Sequence, residues 1–106
     1  MNKKELMGFI GLLNRGGNLV FGESVYFSYK VSLLLLATDC SANSRKKALS
    51  YASKYNLDVV EMLNKSELGS SLGYDELSLV GITNRKSSLA LKKKLDLKGE
   101  QNEEKR

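Results

Sequence analysis

An almost unbroken apolar run at residues 31–37 (VSLLLLA) constrains the fold of this chain more than any other feature. Its short length and the polar pair that ends it favour a strand buried on both faces over a helix. Helical periodicity follows, and we expect a helix between Ser41, its N-cap, and Asn56. A further strand is predicted at residues 58–62. A strand, a helix and a strand in this order predict a right-handed parallel crossover.

The other predicted elements are shorter. Helices are predicted at residues 3–14, with Asn2 as the N-cap, and at residues 23–28, 64–73 and 85–95, and strands at residues 18–21 and 77–83. Together with the crossover they predict an α/β fold in which a four-stranded mixed, largely parallel sheet lies between helices. Along the crossover helix the spacing predicts four inward-facing side chains, those of Ala48, Leu49, Ala52 and Tyr55.

The length of the chain, 106 residues and 11.8 kDa, suits one domain. We expect this domain to span residues 1–97 and the charged remainder, residues 98–106, to form a disordered tail. No apolar run approaches the roughly 20 residues of a membrane span, and the N-terminal residues lack the pattern of a signal peptide. We therefore expect a cytoplasmic protein without membrane contact.

The residue types of common catalytic and metal sites are scarce. The sequence has one cysteine, Cys40, and no histidine, so neither an internal disulfide nor a typical zinc site is expected. Cys40 follows the buried strand, and we interpret it as a buried or half-buried structural residue because no histidine can serve as its base. Asp39, Asp75 and Glu76 lie at loop ends, but nothing gathers them into a catalytic pair. We expect no catalytic residue, no metal and no cofactor.

The net charge of +5 permits a polyanionic partner without demanding one. The basic excess lies mainly in residues 77–106, where lysine and arginine could neutralise phosphates, although a solvated lysine face is the commoner explanation. Gly16, Gly17 and Gly22 match neither of the glycine spacings of nucleotide-binding loops, and we interpret them as helix-ending and turn residues.

The segment between the first strand and the second helix contains one candidate binding site. Gly22 ends the strand, and the helix that starts at Glu23 and Ser24 exposes N–H groups that suit an anion. Glu23 and Ser24 can also accept hydrogen bonds from base edges of distorted RNA. The alternative is a helix cap in which Glu23 complements the helix dipole, and these residues alone favour the cap.

Residues 64–73 (NKSELGSSLG) form the most distinctive motif of the chain. Leu68 and Leu72 share one face of a two-turn helix, and the glycines allow close packing. Lys65 lies near the helix start, from which it can reach a phosphate. From these residues alone, packing and phosphate binding are equally supported interpretations.

The motif also carries a family resemblance. It resembles the ribosomal-protein superfamily named for L-seven-Ae and L-thirty-e, which binds kink-turn RNA, in the residues Lys65, Glu67, Leu68, Gly69, Leu72 and Gly73, in the strand before them and in residues 79–83 (LVGIT) after them. Among its branches the chain is most similar to the small bacterial YlxQ type, over about residues 6–95. The resemblance implies a three-layer α/β/α sandwich and RNA binding connected with ribosomes or translation.

The resemblance also implies where RNA is contacted. In that superfamily one contact is a strand-to-helix turn with glycine, any residue, asparagine, glutamate, two residues and lysine, and these four named positions fall here on Gly22, Ser24, Val25 and Ser28. Three of the four residues therefore differ from the pattern. Val25 cannot accept the hydrogen bonds of a glutamate, and Ser28 lacks the charge of a lysine. The second contact, an apolar loop before the last strand, falls on residues 74–78, where two carboxylates introduce negative charge.

The leading hypothesis is a non-enzymatic RNA-binding protein that docks a kink-turn or similarly bent RNA through the Gly22 turn and the loop before Leu77. The predicted RNA-contacting residues are Arg15, Asn18, Gly22, Glu23, Ser24, Ser28, Lys30, Lys65, Leu77 and Ser78. The competing hypothesis is a protein-interaction module that keeps the fold and has lost kink-turn recognition. An enzyme is disfavoured because the sequence shows no carboxylate–metal cluster.

Overall fold

The computed structural model describes residues 1–95, in which helices alternate with short strands. Within this range the α-helices are Lys3–Arg15 (α1), Ala42–Tyr55 (α2), Lys65–Leu72 (α3) and Arg85–Lys94 (α4). The strands are Leu19–Phe21 (β1), Leu33–Leu36 (β2), Asp58–Val60 (β3) and Leu79–Ile82 (β4), and a 3₁₀ helix, Gly22–Phe27, follows β1 directly. The predicted domain limit at residue 97 and the predicted tail, residues 98–106, lie outside the described residues.

Side-chain caps determine where the α-helices begin. The residue before each helix accepts a hydrogen bond from the N–H three residues further on, and these caps are Asn2, Ser41, Asn64 and Asn84. In α1 and α3 the residue at that third position is a glutamate, and its carboxylate accepts a hydrogen bond from the N–H of the cap residue. This second hydrogen bond completes a capping box. The predictions that Asn2 and Ser41 cap helices are therefore confirmed.

The sheet is mixed, with the strand order β1-β4-β2-β3. β2 and β3 pair in parallel, as predicted for the crossover, whereas β4 runs antiparallel to both of its neighbours, β1 and β2. The predicted α/β class and the four-stranded mixed sheet are confirmed. The expectation of a largely parallel sheet is wrong, because two of the three pairings are antiparallel.

The connection from β3 to β4 explains the antiparallel pairing. Leu77 N–H donates to the carbonyl of Lys65 at 3.0 Å, so the start of α3 and the end of the following loop lie side by side. Ala37 N–H, just past β2, donates to the carbonyl of Ser78 at 2.9 Å. The chain therefore leaves and re-enters the sheet at the same edge, and β4 must run back against β2. A strand that follows a helix can run parallel to an earlier strand, as β3 does, or antiparallel to it, as β4 does. The alternation of strands and helices in the sequence does not distinguish these two directions.

Helices cover both faces of the sheet, and β2 is buried between two cores. Leu33 and Leu35 pack in a core with residues of α1, α3 and α4, whereas Leu34 and Leu36 pack with the 3₁₀ helix and α2. None of these four leucines is more than 2% exposed. The three-layer α/β/α sandwich implied by the family resemblance is confirmed.

The inward face of α2 differs in part from the prediction. Ala48 and Ala52 are buried as predicted, but Leu49 and Tyr55 are 40% and 54% exposed. Tyr51 packs against this core instead, with its ring 5.1 Å from that of Tyr26. Because Ala48 and Ala52 are small, α2 can approach the sheet closely along the face that carries them. The larger side chains then lie at the flanks of the helix.

Candidate nucleic-acid interface

The Gly22 turn, residues 21–24, forms because the 3₁₀ helix begins directly where β1 ends. Gly22 has a φ of +54°, in the left-handed region that glycine enters at little cost. A Cβ atom there would meet nothing within 4 Å, so glycine is needed for the backbone conformation and not for space. Glu23 and Ser24 are exposed, and Val25 is completely buried in the core under α2.

The β4 loop, residues 73–78, lies beside the Gly22 turn. Gly73, with a φ of +84°, ends α3 and redirects the chain. Tyr74 then packs its ring against that of Phe21, with the ring centroids 5.6 Å apart. Leu77 and Ser78, at the far end of the loop, are partly buried. The fold thus brings together the two segments that the family resemblance implies as contact regions.

Lys65 begins α3 at the same edge of the sheet. Its N–H donates to Asp39 Oδ1 at 2.8 Å, which ties the helix start to the residues that follow β2. Its Nζ lies 4.0 Å from Glu76 Oε1, and 34% of the Lys65 side chain is exposed. Lys65 is therefore available at the surface but is shared with a carboxylate of the β4 loop.

Lys47 is a candidate contact that the sequence interpretation missed. The helical spacing of α2 assigns it to a solvated outer face. In the structure its Nζ lies 3.0 Å from Glu23 Oε1 and 4.6 Å from the centroid of the Tyr26 ring, next to the Gly22 turn. No sequence signal points to this position, because Lys47 and Glu23 are 24 residues apart and meet only through the packing of α2.

The cations near the Gly22 turn are balanced by carboxylates. Lys47 is paired with Glu23, and Lys65 is near Glu76. On α2, Arg45 pairs with Glu61, and the hydrogen bond that its guanidinium donates to the Glu61 carboxylate raises the pKa of Arg45. A phosphate group would have to compete with these carboxylates for the same cations. Among residues 1–95, Lys47 and Lys65 therefore do not give this edge an unopposed positive charge.

Two predicted contact residues that precede the Gly22 turn in the chain lie outside the sheet edge at which that turn is found. Asn18 is at the other end of β1, where its carbonyl accepts a hydrogen bond from Thr83 N–H at 2.9 Å. Arg15 ends α1 and lines a groove of about 420 Å³ between α1 and α3, together with Ser71 and Gly73. Neither residue belongs to the Gly22 turn, although the Arg15 groove includes Gly73, the first residue of the β4 loop.

Ser28 and Lys30 lie beyond the far end of the 3₁₀ helix. Six helical residues at about 2 Å each separate them from Gly22 by roughly 12 Å. The Ser28 carbonyl accepts a hydrogen bond from Tyr51 Oη at 3.0 Å, and Ser28 Oγ accepts one from Lys30 N–H at 3.2 Å. The predicted set is therefore divided. Six of the ten predicted contact residues lie at one edge of the sheet, and four lie away from the Gly22 turn. The six are Gly22, Glu23, Ser24, Lys65, Leu77 and Ser78, and the four are Arg15, Asn18, Ser28 and Lys30.

The remaining chemistry-bearing residues are dispersed. Cys40 is half-buried and packs against both cores, which agrees with the structural role predicted for it. Over residues 1–95 no three carboxylate or cysteine side chains come together in a way that could hold a metal ion. In the same range no helix is long and apolar enough to cross a membrane.

Comparison with known proteins relates this fold to bacterial relatives. No family model matches the sequence. The chain is 29% identical over 76 residues to RNA-binding protein YlxQ of Enterococcus faecium, covering 68% of this chain and 74% of that protein. It is 27% identical over 89 residues to RNA-binding protein YlxQ of Bacillus subtilis (strain 168), covering 80% of this chain and 89% of the relative.

Solved structures show the same architecture. A protein with unknown function from Bacillus halodurans superposes with a TM-score of 0.76 and 26% identity, over 85% of this chain and 95% of that one. The Giardia lamblia 15.5kD RNA binding protein superposes with a TM-score of 0.65 and 14% identity, over 86% of this chain and 81% of that one, and shows the shared fold alone. These comparisons confirm the resemblance to the YlxQ type that the motif predicts: the chain is similar in sequence to two proteins of that name, and it shares its fold with the two solved structures.

Proposed function

We propose that this protein is a non-enzymatic RNA-binding protein that contacts a kink-turn or similarly bent RNA through the Gly22 turn and the β4 loop. Two relatives named RNA-binding protein YlxQ support RNA as the partner. The observation that carries the proposed site is the packing of Phe21 on Tyr74, which joins two distant segments into one surface. Because the superfamily that the chain resembles includes ribosomal proteins, we further propose a cytoplasmic role in association with ribosomes or translation.

The Gly22 turn supplies backbone access and polar groups in this proposal. Gly22 has no side chain, so RNA can approach the backbone closely. Glu23 and Ser24 are exposed and accept hydrogen bonds from base edges that a bend leaves accessible. Leu77 provides an apolar contact beside the bend, and Ser78 lies next to it at the start of β4.

Lys47 and Lys65 hold phosphates in the proposed complex. Each is near one carboxylate in the free protein, at 3.0 Å for Lys47 and 4.0 Å for Lys65. Exposed ion pairs contribute little, about 0–1 kcal/mol, so a phosphate can displace the carboxylate. Glu76 then weakens binding, because it competes with RNA for Lys65 and repels the backbone.

Binding to a kink-turn and to a straight duplex of equal length, measured by electrophoretic titration, tests this proposal. Lys65→Gln should weaken kink-turn binding by roughly tenfold and reduce the salt dependence by about one released counterion. Lys4→Gln, which removes an exposed lysine of α1, is the matched control and should change little. Glu76→Gln should strengthen binding several-fold, and more than Asp75→Asn, which removes a neighbouring carboxylate that is not paired with Lys65.

Two results would contradict the proposed site. Equal and weak binding to the kink-turn and the duplex would remove the specificity for bent RNA. Equal effects of Lys65→Gln and Lys4→Gln would remove Lys65 from the interface, and would leave only a non-specific attraction to the net positive charge.

A protein-interaction module is the second candidate function, and two observations favour it. The cations near Gly22 are balanced by carboxylates, and the position that the family pattern gives to a glutamate holds Val25, which is 0% exposed. Co-purification from cells of origin before and after RNase treatment separates the two functions. Partners that survive RNase favour the interaction module, and partners that are lost favour RNA binding.

A further inference from the structure

Four aromatic residues form a surface at the sheet edge opposite the Gly22 turn. This aromatic face, Phe27, Tyr29, Tyr51 and Tyr55, borders a depression of about 470 Å³ that Tyr26 also lines. Val31 and Leu57, which precede β2 and β3, also line the depression and place it where these strands begin. Phe27 is 82%, Tyr29 97% and Tyr55 54% exposed. Several exposed rings side by side indicate a binding surface, because contiguous apolar patches on a protein surface mark interaction sites.

Contacts around Tyr51 hold the aromatic face in place. Tyr51 Oη donates a hydrogen bond to the Ser28 carbonyl at 3.0 Å and so fixes the segment that carries Phe27 and Tyr29. The Tyr51 ring also packs against the Tyr55 ring, with centroids 4.9 Å apart. The face is therefore supported by α2 as well as by its own loop.

Three cations border the aromatic face. Lys30 follows Tyr29 directly in the chain, and Lys54 Nζ lies 5.4 Å from the centroid of the Tyr55 ring. Arg85, at the start of α4, lines an adjoining depression of about 310 Å³ together with Tyr55. Within the described part of the chain none of the three cations forms an ion pair.

The charge at this end of the sheet contrasts with that at the Gly22 turn. Two carboxylates near this end are already paired with lysines. Asp58, at the start of β3, is paired with Lys92 at 2.9 Å, and Glu23 is paired with Lys47, whose Nζ lies over the Tyr26 ring. The three bordering cations therefore leave an excess of positive charge next to exposed rings. At the Gly22 turn, in contrast, Lys47 and Lys65 are each opposed by a carboxylate.

We propose that the aromatic face binds unpaired nucleotides of a single-stranded nucleic acid. Bases stack on the exposed rings, and the phosphates between them contact Lys30, Lys54 and Arg85, a combination that binds single strands with little sequence preference. Charge complementarity selects this ligand over a second copy of the chain, which would bring the same cations to the face. The proposal goes beyond the proposed bent-RNA site and uses the opposite sheet edge, so either can fail without the other.

A fluorescence titration of the full chain tests base stacking directly. The sequence contains no tryptophan, so Tyr29→Trp introduces a single reporter at the most exposed position of the face. Addition of a ten-nucleotide single-stranded RNA, or of the matching DNA, should quench its emission at low salt. Leu12→Trp, at a 64% exposed position of α1, is the control and should show no quenching. Binding of either decamer supports the proposal, and the ratio of affinities shows which sugar is preferred.

Affinity measurements by fluorescence anisotropy of a labelled decamer provide the second test. Tyr29→Ala should weaken binding about tenfold, whereas Tyr29→Phe should stay within about twofold because it keeps the stacking ring. Tyr29 is 97% exposed, so neither substitution disturbs the core. Leu12→Ala serves as the control for loss of an exposed apolar side chain.

Three results would overturn the proposal. The first is an unquenched Tyr29→Trp variant, and the second is equal affinity of Tyr29→Ala and Tyr29→Phe. The third is an emission change that depends on protein concentration without nucleic acid, which would assign the face to self-association. A kink-turn titration of Tyr29→Ala in parallel keeps the two sites distinguishable, since bent-RNA binding at the Gly22 edge does not use this ring.

Discussion

Gly69 shows what the Glu67–Leu68–Gly69 sequence does physically. A Cβ atom at Gly69 would lie 2.8 Å from the Tyr74 carbonyl oxygen and from the backbone N and Cα of Glu76. These are backbone atoms, which cannot move aside as a flexible side chain can. Glycine is therefore needed so that α3 can pack closely against the β4 loop. The motif residues therefore serve mainly packing, and Lys65 is the one whose side chain contacts RNA in the proposed site.

Substitution of Gly69 provides a stability prediction. Gly69→Ala should lower the free energy of unfolding by about 1–3 kcal/mol, because the methyl group overpacks a backbone contact. Gly8→Ala is the matched control in α1, where a Cβ atom meets nothing within 4 Å. That change should stabilise the protein by up to about 1 kcal/mol, since alanine is the better helix former. Urea unfolding followed by circular dichroism measures both, and a loss of stability in both variants would contradict this account.

Val25 explains at the residue scale why this chain departs from the family pattern at the Gly22 turn. The side chain is completely buried among residues of β2 and α2. A glutamate in this backbone position would place a charge in an apolar core, at a large cost in free energy. The departure is therefore structural, and any base reading at the turn falls to the exposed Glu23 and Ser24.

The start of α3 is the element in which local sequence and tertiary contacts reinforce each other. Asn64 Oδ1 accepts a hydrogen bond from Glu67 N–H at 2.8 Å, and Glu67 Oε1 accepts one from Asn64 N–H at 2.9 Å. Lys3 of α1 adds an ion pair to Glu67 at 3.3 Å. The Asn64 hydrogen bond, followed by that from Lys3, lowers the pKa of Glu67 below its ordinary value of 4.5.

This lowered pKa predicts a pH dependence of stability that belongs to α3. A carboxylate with a lowered pKa in the folded state contributes stability above its ordinary pKa, and that stability is lost as the pH falls through the folded value. Glu67→Gln should therefore flatten the loss of stability as the pH falls through and below 4.5, because glutamine keeps the cap but cannot ionise.

The measurement is the thermal midpoint as a function of pH. Asn64→Ala, which removes the cap itself, should lower stability by about 1 kcal/mol at neutral pH and serves as the comparison. A Glu67→Gln variant whose pH profile has the same shape as that of the unsubstituted protein would contradict the assignment.

For the molecule as a whole, the two ends of the sheet carry different surfaces. At the end where β1 finishes and β4 starts, cations and carboxylates are matched. At the end where β2 and β3 begin, exposed rings lie beside cations that form no ion pair within residues 1–95. The net charge of +5 is therefore not spread evenly over the two ends of the sheet, and each end suits a different kind of partner.

The topology predicts which part of the molecule opens last. β2 and β4 are the inner strands and pair with each other, whereas β1 and β3 are edge strands of three residues each. Hydrogen exchange should therefore be slowest at the amides of β2 and β4 and faster in β1 and β3, because inner strands open only with the whole sheet. Exchange measured by NMR tests this order, and edge-strand amides as slow as those of β2 would contradict it.

The sequence by itself determined the features that depend on neighbouring residues. The apolar run at residues 31–37 identified the doubly buried strand, and the cap residues Asn2 and Ser41 placed two helix starts, because these signals act within one or two turns. The order strand, helix, strand also predicted the parallel pairing of β2 and β3, which is confirmed, although the same order after β3 leads to the antiparallel β4. The motif at residues 64–73 carried the family resemblance for the same reason, since its caps and packing residues lie within a single helix.

Tertiary structure alone decided the direction of β4, the orientation of α2 and the balance of charge at the candidate site. β4 runs antiparallel because Lys65 and Leu77 meet at one sheet edge, and Lys47 reaches Glu23 only after α2 has packed. The aromatic face arises in the same way, from Tyr29 and Tyr55 on separate elements. Such contacts join residues far apart in the chain, and their pairing is selected by the packing of the whole core rather than by local preference.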